Sequence, residues 1–591
     1  MIGYFLLNVG GFLKGICKGN KVVGKIVSLI LVCVLSMLCT GLDAQADVIS
    51  PELQEIMQSL GPDEEVAVIV TLSDKVDLKN FKDKDKGQKR SKIIRALQQN
   101  AEKTQKNIKK YLEQSKVNKV KSFWIFNGLA LTANVKVIRK LAGMAEIESI
   151  RPDSTLILEE PPVSVNAGVP EWNINAINAP ELWSMGYTGT GAVLATLDTG
   201  VDVTHPDLAA RWRGGSNSWF DPNGQHATPH DADGHGTSVM GVIVGGDAGG
   251  SAIGAAPGAQ WIAVKIFDDN GNVLTSNIHL GFQWLLDPDD NPETDDAPDV
   301  VNNSWGYRFQ AGECLIFFEY LPDIQALKAS DVGVVFAAGN QQLANESPAN
   351  ESPANYAESF AVGAVDDTQT IAYFSAAGPS ACDGTIFPEV VAPGSFVRTA
   401  DLGGSYSYVS GTSIAAPHVA GAMGLLLSIY PTQGISEIEA VLKDSARDLG
   451  EIGPDNTYGY GLLDVLGAYN LLTPLANNDI FTIPRNTTAI IAIADLLAND
   501  VARGSPIDVN SLALRAAVSA RGNIITVNAD NTITYTPEGG GGPDYFWYTI
   551  NDTAGATSNE ATVRINRVRA AQPAPSSAVA PAPGREPIIR Q

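Results

Sequence analysis

Short apolar runs alternate with longer, helix-patterned stretches across the middle of the chain. Five of these runs are AVLATLD, QWIAVKIF, DVVNNSWG, GVVFAAGN and FAVGAV. Continuous apolar runs are typical of strands buried on both faces, and their alternation with helices indicates a parallel sheet covered on both sides. The pattern predicts an α/β domain with a doubly wound parallel sheet over 171–473, with its functional groups at the carboxyl ends of the strands.

The residues before this domain have a different pattern. Residues 47–160 contain strand-like runs at 65–72 and 129–135, with a charged, helix-patterned stretch between them. A helix pattern at 137–144 and a strand pattern at 147–152 follow. This order predicts a small α+β unit with an open-faced sheet.

Turn-forming and low-complexity segments set the remaining boundaries. The sequence PPVSVNAGVP over 161–170 predicts an exposed linker. From 475 to 567, alternating runs such as ITVNADNTITYTPEG predict a β-sandwich. The Ala/Pro/Ser-rich tail over 568–591 is typical of a disordered segment.

The chain of 591 residues has a net charge of −24, and this charge is unevenly distributed. Residues 47–160 hold 20 Lys and Arg against 17 Asp and Glu, whereas residues 161–591 hold 17 against 47. A polyanion of this kind is a poor partner for nucleic acid, so we expect no nucleic-acid binding. The contrast also predicts attraction between the Lys-rich front unit and the acidic body.

An apolar leader precedes the front unit. Residues 26–39 are apolar, four lysines precede them, and Ala44-Gln45-Ala46 follows as an A-x-A cleavage pattern. The run is shorter than the roughly 20 residues of a membrane span, so residues 1–46 are expected to be a secretory signal peptide and the protein to be secreted. Of the cysteines, Cys314 and Cys382 remain in the exported chain, and the sequence leaves their pairing open.

The stretch VSGTSIAAPHVAGAM (409–423) predicts a buried helix that begins near Ser413. Pro417 is expected in its first turn, where the missing N–H of proline costs no helical hydrogen bond. A helix start has unpaired N–H groups and a partial positive charge, so a hydroxyl there is placed to attack a carbonyl whose anion the backbone stabilises. The alternative is that Ser413 only caps the helix.

Three further polar residues stand beside glycines. Asp198 ends AVLATLD, His235 lies in DGHGTS, and Asn340 ends GVVFAAGN. Taken singly, Asp198 and Asn340 are compatible with turn caps, and His235 with a surface loop. An imidazole, an acid and an amide are also the groups that take a proton from a hydroxyl, orient that base and donate to an oxyanion.

Taken together, the motifs resemble those of the subtilisin-like serine proteases of the S8 family. The resemblance is carried, in order, by LDTGVDVTHPDL, DGHGTSVMGVI, VNNSWG, FAAGNQ and SGTSIAAPHVAG, and it covers most of 171–473. The chain order Asp198, His235, Ser413, with separations of 37 and 178 residues, is the order found in subtilisin. The stretches DAPDVVNNSWG and SPANYAESFAVGAVD are similar to the bacillopeptidase F branch of the family.

This resemblance implies a secreted serine endopeptidase that cleaves polypeptides and needs no cofactor for its chemistry. It implies that Ser413 is the nucleophile, that His235 is the general base and that Asp198 orients the imidazole. It also implies that Asn340 and the Ser413 backbone N–H bind the oxyanion.

The same resemblance implies that extended substrate pairs with the backbone around Ser304, Trp305 and Gly306. Trp305 either lines the substrate pocket or belongs to the core. His205 and His418 lie inside matched motifs, and both are expected to support packing rather than chemistry.

The flanking regions also acquire expected roles from the resemblance. Residues 47–160 resemble an inhibitor-type propeptide, which assists folding and occupies the cleft until the enzyme cuts the linker that follows. Residues 475–567 resemble the cadherin-like or Ig-like repeats of bacterial surface proteins, which implies contact with a cell surface or matrix.

Two segments keep more than one interpretation. The acidic stretch DPDDNPETDDAP (287–298) is either a solvated loop or a source of oxygen ligands for a structural calcium ion, whose ligands the sequence does not identify. The tandem duplication NESPANESPAN (345–355) is expected to lengthen a loop near the cleft.

Two other functions are compatible with parts of the pattern. One is a surface-binding protein whose protease domain is vestigial and whose β module carries the function. The other is a sedolisin-type peptidase, which shares a Gly-Thr-Ser motif but uses Glu and works in acid.

Overall fold

The computed structural model describes most of the chain. The described residues are 48–61, 63–83, 85–157, 171–308, 319–340, 351–538 and 542–569. The predicted leader 1–46 and linker 161–170, Cys314 and the tail from 570 onward lie outside them. Chain contacts divide the protein into two units. The first comprises Met1–Ser73, Asn107–Lys121 and Leu129–Pro152, and the second Asp74–Lys106, Ser122–Gly128 and Asp153–Gln591.

Helices and strands are numbered in chain order over the described residues. The α-helices are α1 Pro51–Ser59, α2 Lys86–Gln114, α3 Val135–Ala142, α4 Trp172–Ala176, α5 Ala179–Ser184, α6 His235–Val244, α7 Thr275–Leu286, α8 Leu321–Ala329, α9 Thr412–Ile429, α10 Ile435–Asp444, α11 Val465–Leu472 and α12 Ile493–Leu496. The strands are β1 Glu65–Leu72, β2 Lys121–Phe123, β3 Gly128–Asn134, β4 Ile147–Pro152, β5 Thr155–Ile157, β6 Val193–Asp198, β7 Trp219–Phe220, β8 Gln260–Lys265, β9 Asn272–Leu274, β10 Val300–Asn303, β11 Tyr307–Arg308, β12 Gly333–Ala337, β13 Glu351–Ser352, β14 Phe360–Val365, β15 Val390–Pro393, β16 Val397–Asp401, β17 Ser405–Val409, β18 Asp479–Pro484, β19 Ala489–Ala492, β20 Ala513–Leu514, β21 Ile524–Val527, β22 Thr532–Thr536, β23 Asp544–Thr549 and β24 Ala561–Val568.

The first unit has a small core between an antiparallel sheet and its helices. Strands β1 and β4 pair antiparallel, with Val70 opposite Ile150. Both coincide with the predicted runs, and α3 begins two residues earlier than its predicted pattern. Helix α1 was not predicted, although its start has a local signal, because Ser50 accepts a hydrogen bond from Leu53 N at 3.3 Å and Pro51 follows the cap.

A seven-stranded parallel sheet forms the centre of the second unit. Its order is β15-β14-β12-β10-β6-β8-β7, and every neighbouring pair is parallel. The chain builds the sheet from β6 in one direction as far as β7 and then in the other direction from β10. Strand β6 is therefore the point at which the strand order reverses, and the crevice at its carboxyl end is the expected ligand site of such a sheet. The predicted doubly wound fold is confirmed.

Helices cover both faces of β6 at close range. A Cβ on Gly424 of α9 would lie 2.8 Å from the Leu194 methyl groups, and a Cβ on Gly281 of α7 would lie 2.7 Å from Leu197 Cδ1. Leu194 and Leu197 are three residues apart, so they point to opposite faces of the strand. Glycines thus let one helix approach each face, and they explain the small residues in the motifs around them.

Helix α9 lies in the core of this domain. It is the one helix among the described residues that is long and apolar enough to cross a membrane, but 94% of that stretch is buried inside the protein. An apolar helix that packs against the sheet on one side and against other elements elsewhere has no polar face.

The C-terminal module has two facing β-sheets. One has the order β18-β24-β23-β20 and the other β19-β22-β21. Strand β24 alternates buried and less buried residues along its length, as expected for a sheet with one face in a core. Tyr535, Phe546 and Val563 belong to the shared core. The predicted β-sandwich is therefore present.

Candidate active site

Asp198 lies at the carboxyl end of β6, where the strand order reverses. It is fully buried, and its Oδ1 accepts hydrogen bonds from Thr199 N at 2.7 Å and from His235 Nδ1 at 2.8 Å. Because Oδ1 is an acceptor, His235 Nδ1 carries the proton and Nε2 is the nitrogen that remains for another partner. The buried carboxylate therefore fixes both the orientation and the tautomer of the imidazole.

The N-terminus of α6 holds His235 against the loop that follows β6. Gly236 N donates to Thr199 Oγ1 at 2.8 Å, and a Cβ at position 236 would lie 2.1 Å from Gly200 O. Only glycine permits this approach. Asp231 completes the helix start, because its Oδ2 accepts from the backbone N and the hydroxyl of Thr237.

Carboxylates around the imidazole set its protonation. Burial disfavours the imidazolium, but the charge and hydrogen bond of Asp198, with the charges of Asp233 and Asp231, outweigh it and raise the pKa of His235 to about 9. Asp233 is exposed and accepts from His235 N at 3.0 Å. A histidine in this setting becomes a free base only at alkaline pH.

Ser413 is the second residue of α9, and this helix packs against α6. A Cβ on Gly421 would lie 3.2 Å from Ile243 O, so α9 and α6 touch at that point. Ser413 precedes Gly421 by eight residues, and His235 precedes Ile243 by eight. Ser413 and His235 are therefore the same number of residues from the point at which α9 and α6 touch.

The Ser413 hydroxyl is buried but not engaged. Ser413 is 4% exposed, and its Oγ has no hydrogen-bond partner among the residues that the structure describes, His235 included. Catalytic hydrogen bonds are often long or poorly aligned without substrate and shorten only in the reactive complex. The structure thus places the serine on a helix next to that of the histidine without a hydrogen bond between them.

Pro417 corrects the expectation that the proline occupies the first turn of the helix. It is the sixth residue of α9, so its missing N–H removes a real hydrogen bond to the carbonyl of Ser413, four residues earlier. Ser304 Oγ donates to that carbonyl at 2.7 Å and replaces the lost donor. Ser304 thus anchors the turn that carries Ser413, a role that the sequence did not reveal.

Asn340 is held by the same turn from the other side. Its Oδ1 accepts from Thr412 N at 2.9 Å and from Thr412 Oγ1 at 3.0 Å. A backbone N–H only donates, so the oxygen of the amide faces Thr412 and Nδ2 is the group left to donate elsewhere. Ser413 follows Thr412 directly. The Asn340 amide donor and the Ser413 hydroxyl therefore flank the same short stretch of backbone.

The other residues of the SWG segment, Trp305 and Gly306, pack closely against neighbouring side chains. Trp305 is 6% exposed, and its ring contacts Phe336 and Tyr320, with ring centroids 5.7 and 5.8 Å away. A Cβ on Gly306 would lie 2.7 Å from Glu351 Oε1. Glu351 belongs to the second copy of the duplication, and the first copy lies outside the described residues.

The two remaining motif histidines have structural partners. His418 Nδ1 donates to Ile414 O at 2.9 Å while Nε2 accepts from Asn173 Nδ2 at 2.8 Å, and burial lowers the pKa of His418 to about 4. His205 Nε2 donates to Ser405 O at 2.9 Å. These contacts accord with the expected packing roles.

Cys382 is disulfide-bonded. The other four cysteines, Cys314 among them, lie outside the described residues, so the pairing of Cys314 with Cys382 stays open.

Comparisons with known proteins cover both domains. A profile of the subtilase family matches residues 189–461, and a profile of the bacterial Ig domain matches residues 472–566. The chain is 35% identical over 422 residues to bacillopeptidase F of Bacillus subtilis (strain 168), which covers 65% of this chain and 29% of that protein. It is 32% identical over 349 residues to subtilisin E of the same strain, covering 59% of this chain and 82% of that protein. A subtilisin of Bacillus pumilus is 34% identical over 298 residues, covering 50% of this chain and 98% of that protein.

The Ser304 anchor predicts a measurable coupling between two positions. Ser304→Ala leaves the Ser413 carbonyl buried without a donor, which is expected to lower the free energy of unfolding by about 1–3 kcal/mol. Pro417→Ala restores a helical N–H at the right place, so the cost of Ser304→Ala is expected to be smaller in that background. Denaturant unfolding of the four members of this cycle, all carrying Ser413→Ala to prevent proteolysis, measures the coupling. If Ser304→Ala lowered the free energy of unfolding equally with and without Pro417→Ala, Ser304 would not be replacing the donor that Pro417 lacks.

Proposed function

Because the chain belongs to the subtilase family, we propose that it is a secreted serine endopeptidase that hydrolyses polypeptides through Asp198, His235 and Ser413. The observation that carries the proposal is the 2.8 Å hydrogen bond between His235 Nδ1 and the buried Asp198 carboxylate. It lies at the carboxyl end of β6, the strand at which the strand order reverses. This bond leaves Nε2 as the base. The chain spans less than a third of bacillopeptidase F, so substrates and partners are proposed from this chain alone.

The proposed reaction uses side chains of this chain without a cofactor. Ser413 Oγ attacks the peptide carbonyl while His235 Nε2 takes its proton, which gives a tetrahedral intermediate and then an acyl-enzyme as the same proton passes to the leaving amine. Water then attacks the acyl-enzyme by the same steps and releases the acid product. Asp198 holds the imidazole through Nδ1 and stabilises the imidazolium that forms in each half.

Backbone and amide donors stabilise the developing oxyanion. Asn340 Nδ2 is the donor half of an amide whose oxygen is fixed by Thr412. The Ser413 N–H lies in the first turn of α9, where helix N–H groups have no intrahelical acceptor. Donors fixed before the reaction need no reorganisation when the charge develops, which is why they lower the barrier.

Substrate recognition at Ser304, Trp305 and Gly306 is proposed to use the backbone. The Ser304 hydroxyl is committed to Ser413 O and to Asn302 Nδ2, and the Trp305 ring packs in the core. Main-chain pairing with an extended peptide gives affinity with limited side-chain choice. The enzyme is therefore expected to accept a broad range of polypeptide substrates.

We propose that residues 47–160 are the intramolecular inhibitor and folding aid of this enzyme. Within the second unit, β5 pairs antiparallel with β9, with Leu156 opposite Val273. Helix α7 has no side-chain cap of its own at its start, and the front segment supplies one: Asp153 Oδ1 accepts from Ser276 N at 2.9 Å. The front segment thus occupies an extended-strand position and stabilises a helix on the face of the sheet.

Opposite charges support the same role. In the second unit, Lys89 Nζ lies 2.7 Å from Asp331 Oδ2, and Arg90 pairs with Asp295. Arg95 pairs with Glu293. These pairs join the basic part of α2 to the acidic body, as the charge distribution predicted. Self-cleavage in the linker around residues 155–170 is proposed to end the inhibition.

Secretion and surface contact complete the proposal. The leader pattern over 1–46 and the disulfide at Cys382 fit an oxidising, extracellular location. The Ig-like module over 475–567 is proposed to contact a cell surface or matrix.

Ser413→Ala tests the whole proposal. The variant is expected to lose casein hydrolysis and to accumulate as the uncleaved precursor, because both steps need the same hydroxyl. Mass spectrometry of the secreted wild type and variant identifies the new N-terminus. Normal processing of the variant would refute self-cleavage, and wild-type protein without hydrolytic activity would favour the surface-binding alternative with a vestigial protease domain.

Asn340→Ala tests the oxyanion donor. In subtilisin, loss of the side-chain donor is known to lower kcat by about 10²–10³, and we expect a similar effect here with little change in KM. Steady-state kinetics on a peptide substrate separate the two parameters. An effect mainly on KM would assign Asn340 to substrate binding instead.

The pH profile tests the state of His235. The raised pKa means that the imidazole is protonated at neutral pH, so kcat/KM is expected to rise with pH through about 9 as the base is freed. Asp233→Asn keeps an acceptor for His235 N but removes a charge, so the acid limb is expected to move to lower pH. Asp247→Asn, an exposed change beyond the other end of α6, is the matched control and is expected to leave the profile unchanged. Maximal activity in acid would favour the sedolisin-type alternative.

A further inference from the structure

Two histidines and a carboxylate converge near the start of α6. One ligand atom each from His226, His230 and Asp269 lies within 4.8 Å of the others. The histidines belong to the loop between β7 and α6, whereas Asp269 belongs to the turn between β8 and β9. Two imidazoles and one carboxylate are a recurring ligand set for zinc and related transition metals. Segments 43 residues apart thus supply three ligands of the kind that such an ion takes.

The side chain of His226 already faces the carboxylate. His226 Nε2 lies 3.0 and 2.9 Å from the two oxygens of Asp269. With zinc bonds of about 2.0–2.2 Å, a tetrahedral ion holds its nitrogen and oxygen ligands about 3.3 Å apart. Both side chains are partly exposed, so a small outward shift of each lets an ion replace the proton that the pair shares.

An ion pair between His226 and Asp269 does not explain the position of His230. The ring of His230 is stacked on that of His226, with centroids 3.9 Å apart and planes inclined by 25°. No hydrogen bond to a residue that the structure describes engages the His230 ring. Two imidazolium rings at this distance would repel each other, so the stacking favours unprotonated nitrogens. An unprotonated imidazole nitrogen is the group that binds a metal ion.

The loop that carries His226 is fixed by its own polar contacts. Asp221 Oδ2 accepts from His226 N at 2.8 Å, and Trp219 Nε1 donates to His226 O at 3.0 Å. Asn223 Nδ2 donates to Ile266 O at 3.1 Å, which joins the loop to the end of β8. A loop that is already ordered loses little conformational freedom when it binds a ligand.

Independent contacts fix the other two ligands. Lys265 Nζ lies 3.2 Å from Asp269 Oδ1 and donates to Thr199 O at 2.8 Å. His230 O packs against Gly200, where a Cβ would lie 1.9 Å from it. Partners of this kind orient the ligands of metal sites in folded proteins. The same contacts place the cluster next to the loop that follows β6.

We propose that His226, His230 and Asp269 bind one divalent transition-metal ion of the zinc class. Zinc takes nitrogen and oxygen ligands in a tetrahedral arrangement, and a site with three protein ligands holds water at the fourth position. His230 and Asp269 are exposed, so an ion and its water reach the site from solvent. The inference rests on these three side chains and is independent of the proposed peptidase activity.

The other histidines decide which controls are needed. The chain has six, and His205, His279 and His418 are fully buried. The remaining one, His235, pairs with Asp198. That pair is the main alternative location for a metal ion, so the experiment has to separate it from the proposed site.

Zinc titration tests the proposal on the full chain carrying Ser413→Ala, purified without a histidine tag. Excess Ca²⁺ in the buffer occupies sites that have oxygen ligands only, which hard cations prefer. Isothermal titration calorimetry is expected to show saturable binding of one Zn²⁺ per chain. Binding is expected to weaken as the pH falls, because protons compete for the imidazole nitrogens.

Three variants locate the ion. His230→Gln removes one ligand at an exposed position and is expected to weaken Zn²⁺ binding by about ten-fold or more. Asp268→Asn is the matched control, because it removes a charge from the same turn, keeps an acceptor for Asn272 N and lies outside the cluster. His235→Gln is the control for the alternative location. Both controls are expected to bind Zn²⁺ as the parent chain does.

Three results would overturn the proposal. The first is a titration without saturable binding. The second is His230→Gln, folded by circular dichroism, that binds Zn²⁺ as tightly as the parent chain; loss of binding in His235→Gln would then place the ion on the pair with Asp198. The third is an equal loss in Asp268→Asn and His230→Gln, which would show only attraction by local negative charge.

Discussion

The hydrogen bond between His235 and the buried Asp198 joins two parts of the chain that only the parallel sheet brings together. The carboxylate lies at the end of the strand where the order reverses, and the imidazole begins a helix packed against the following loop. A buried charge of this kind is tolerated only with a fixed partner. Gly236 and Thr199 provide the close approach, so the local glycine pattern follows from the need to bring the two groups within 3 Å.

The position of Ser413 depends on an interrupted hydrogen bond within helix α9. Its small residues allow it to lie in the core, and Pro417 interrupts its hydrogen bonding at the one carbonyl that belongs to Ser413. Ser304, from the segment that is proposed to bind substrate, supplies the missing donor. The position of the proposed nucleophile and the conformation of the substrate segment are therefore linked through a single hydrogen bond.

Charge organises the surface of the second unit in a similar way. The insertion between α7 and β10 concentrates carboxylates, and the basic part of α2 pairs with its outer members, Asp295 and Glu293. The inner members converge on one another with fewer partners. The acidic segment thus presents its outer carboxylates to the basic part of α2.

The sequence by itself determined five of the seven sheet strands, the parallel sheet and the family, because buried strands and tight glycine turns leave strong local patterns. It identified Asp198, His235, Asn340 and Ser413 as candidates because each stands in a motif. It did not reveal that Ser304 holds the Ser413 carbonyl or that Trp305 lies in an aromatic core, and it misjudged the place of Pro417 in its helix. The Ser304 and Trp305 contacts join residues about 15 to 110 positions apart. Such contacts carry no local signal, since a serine hydroxyl or a carboxylate acquires its partner only when the tertiary structure brings that partner within hydrogen-bonding distance.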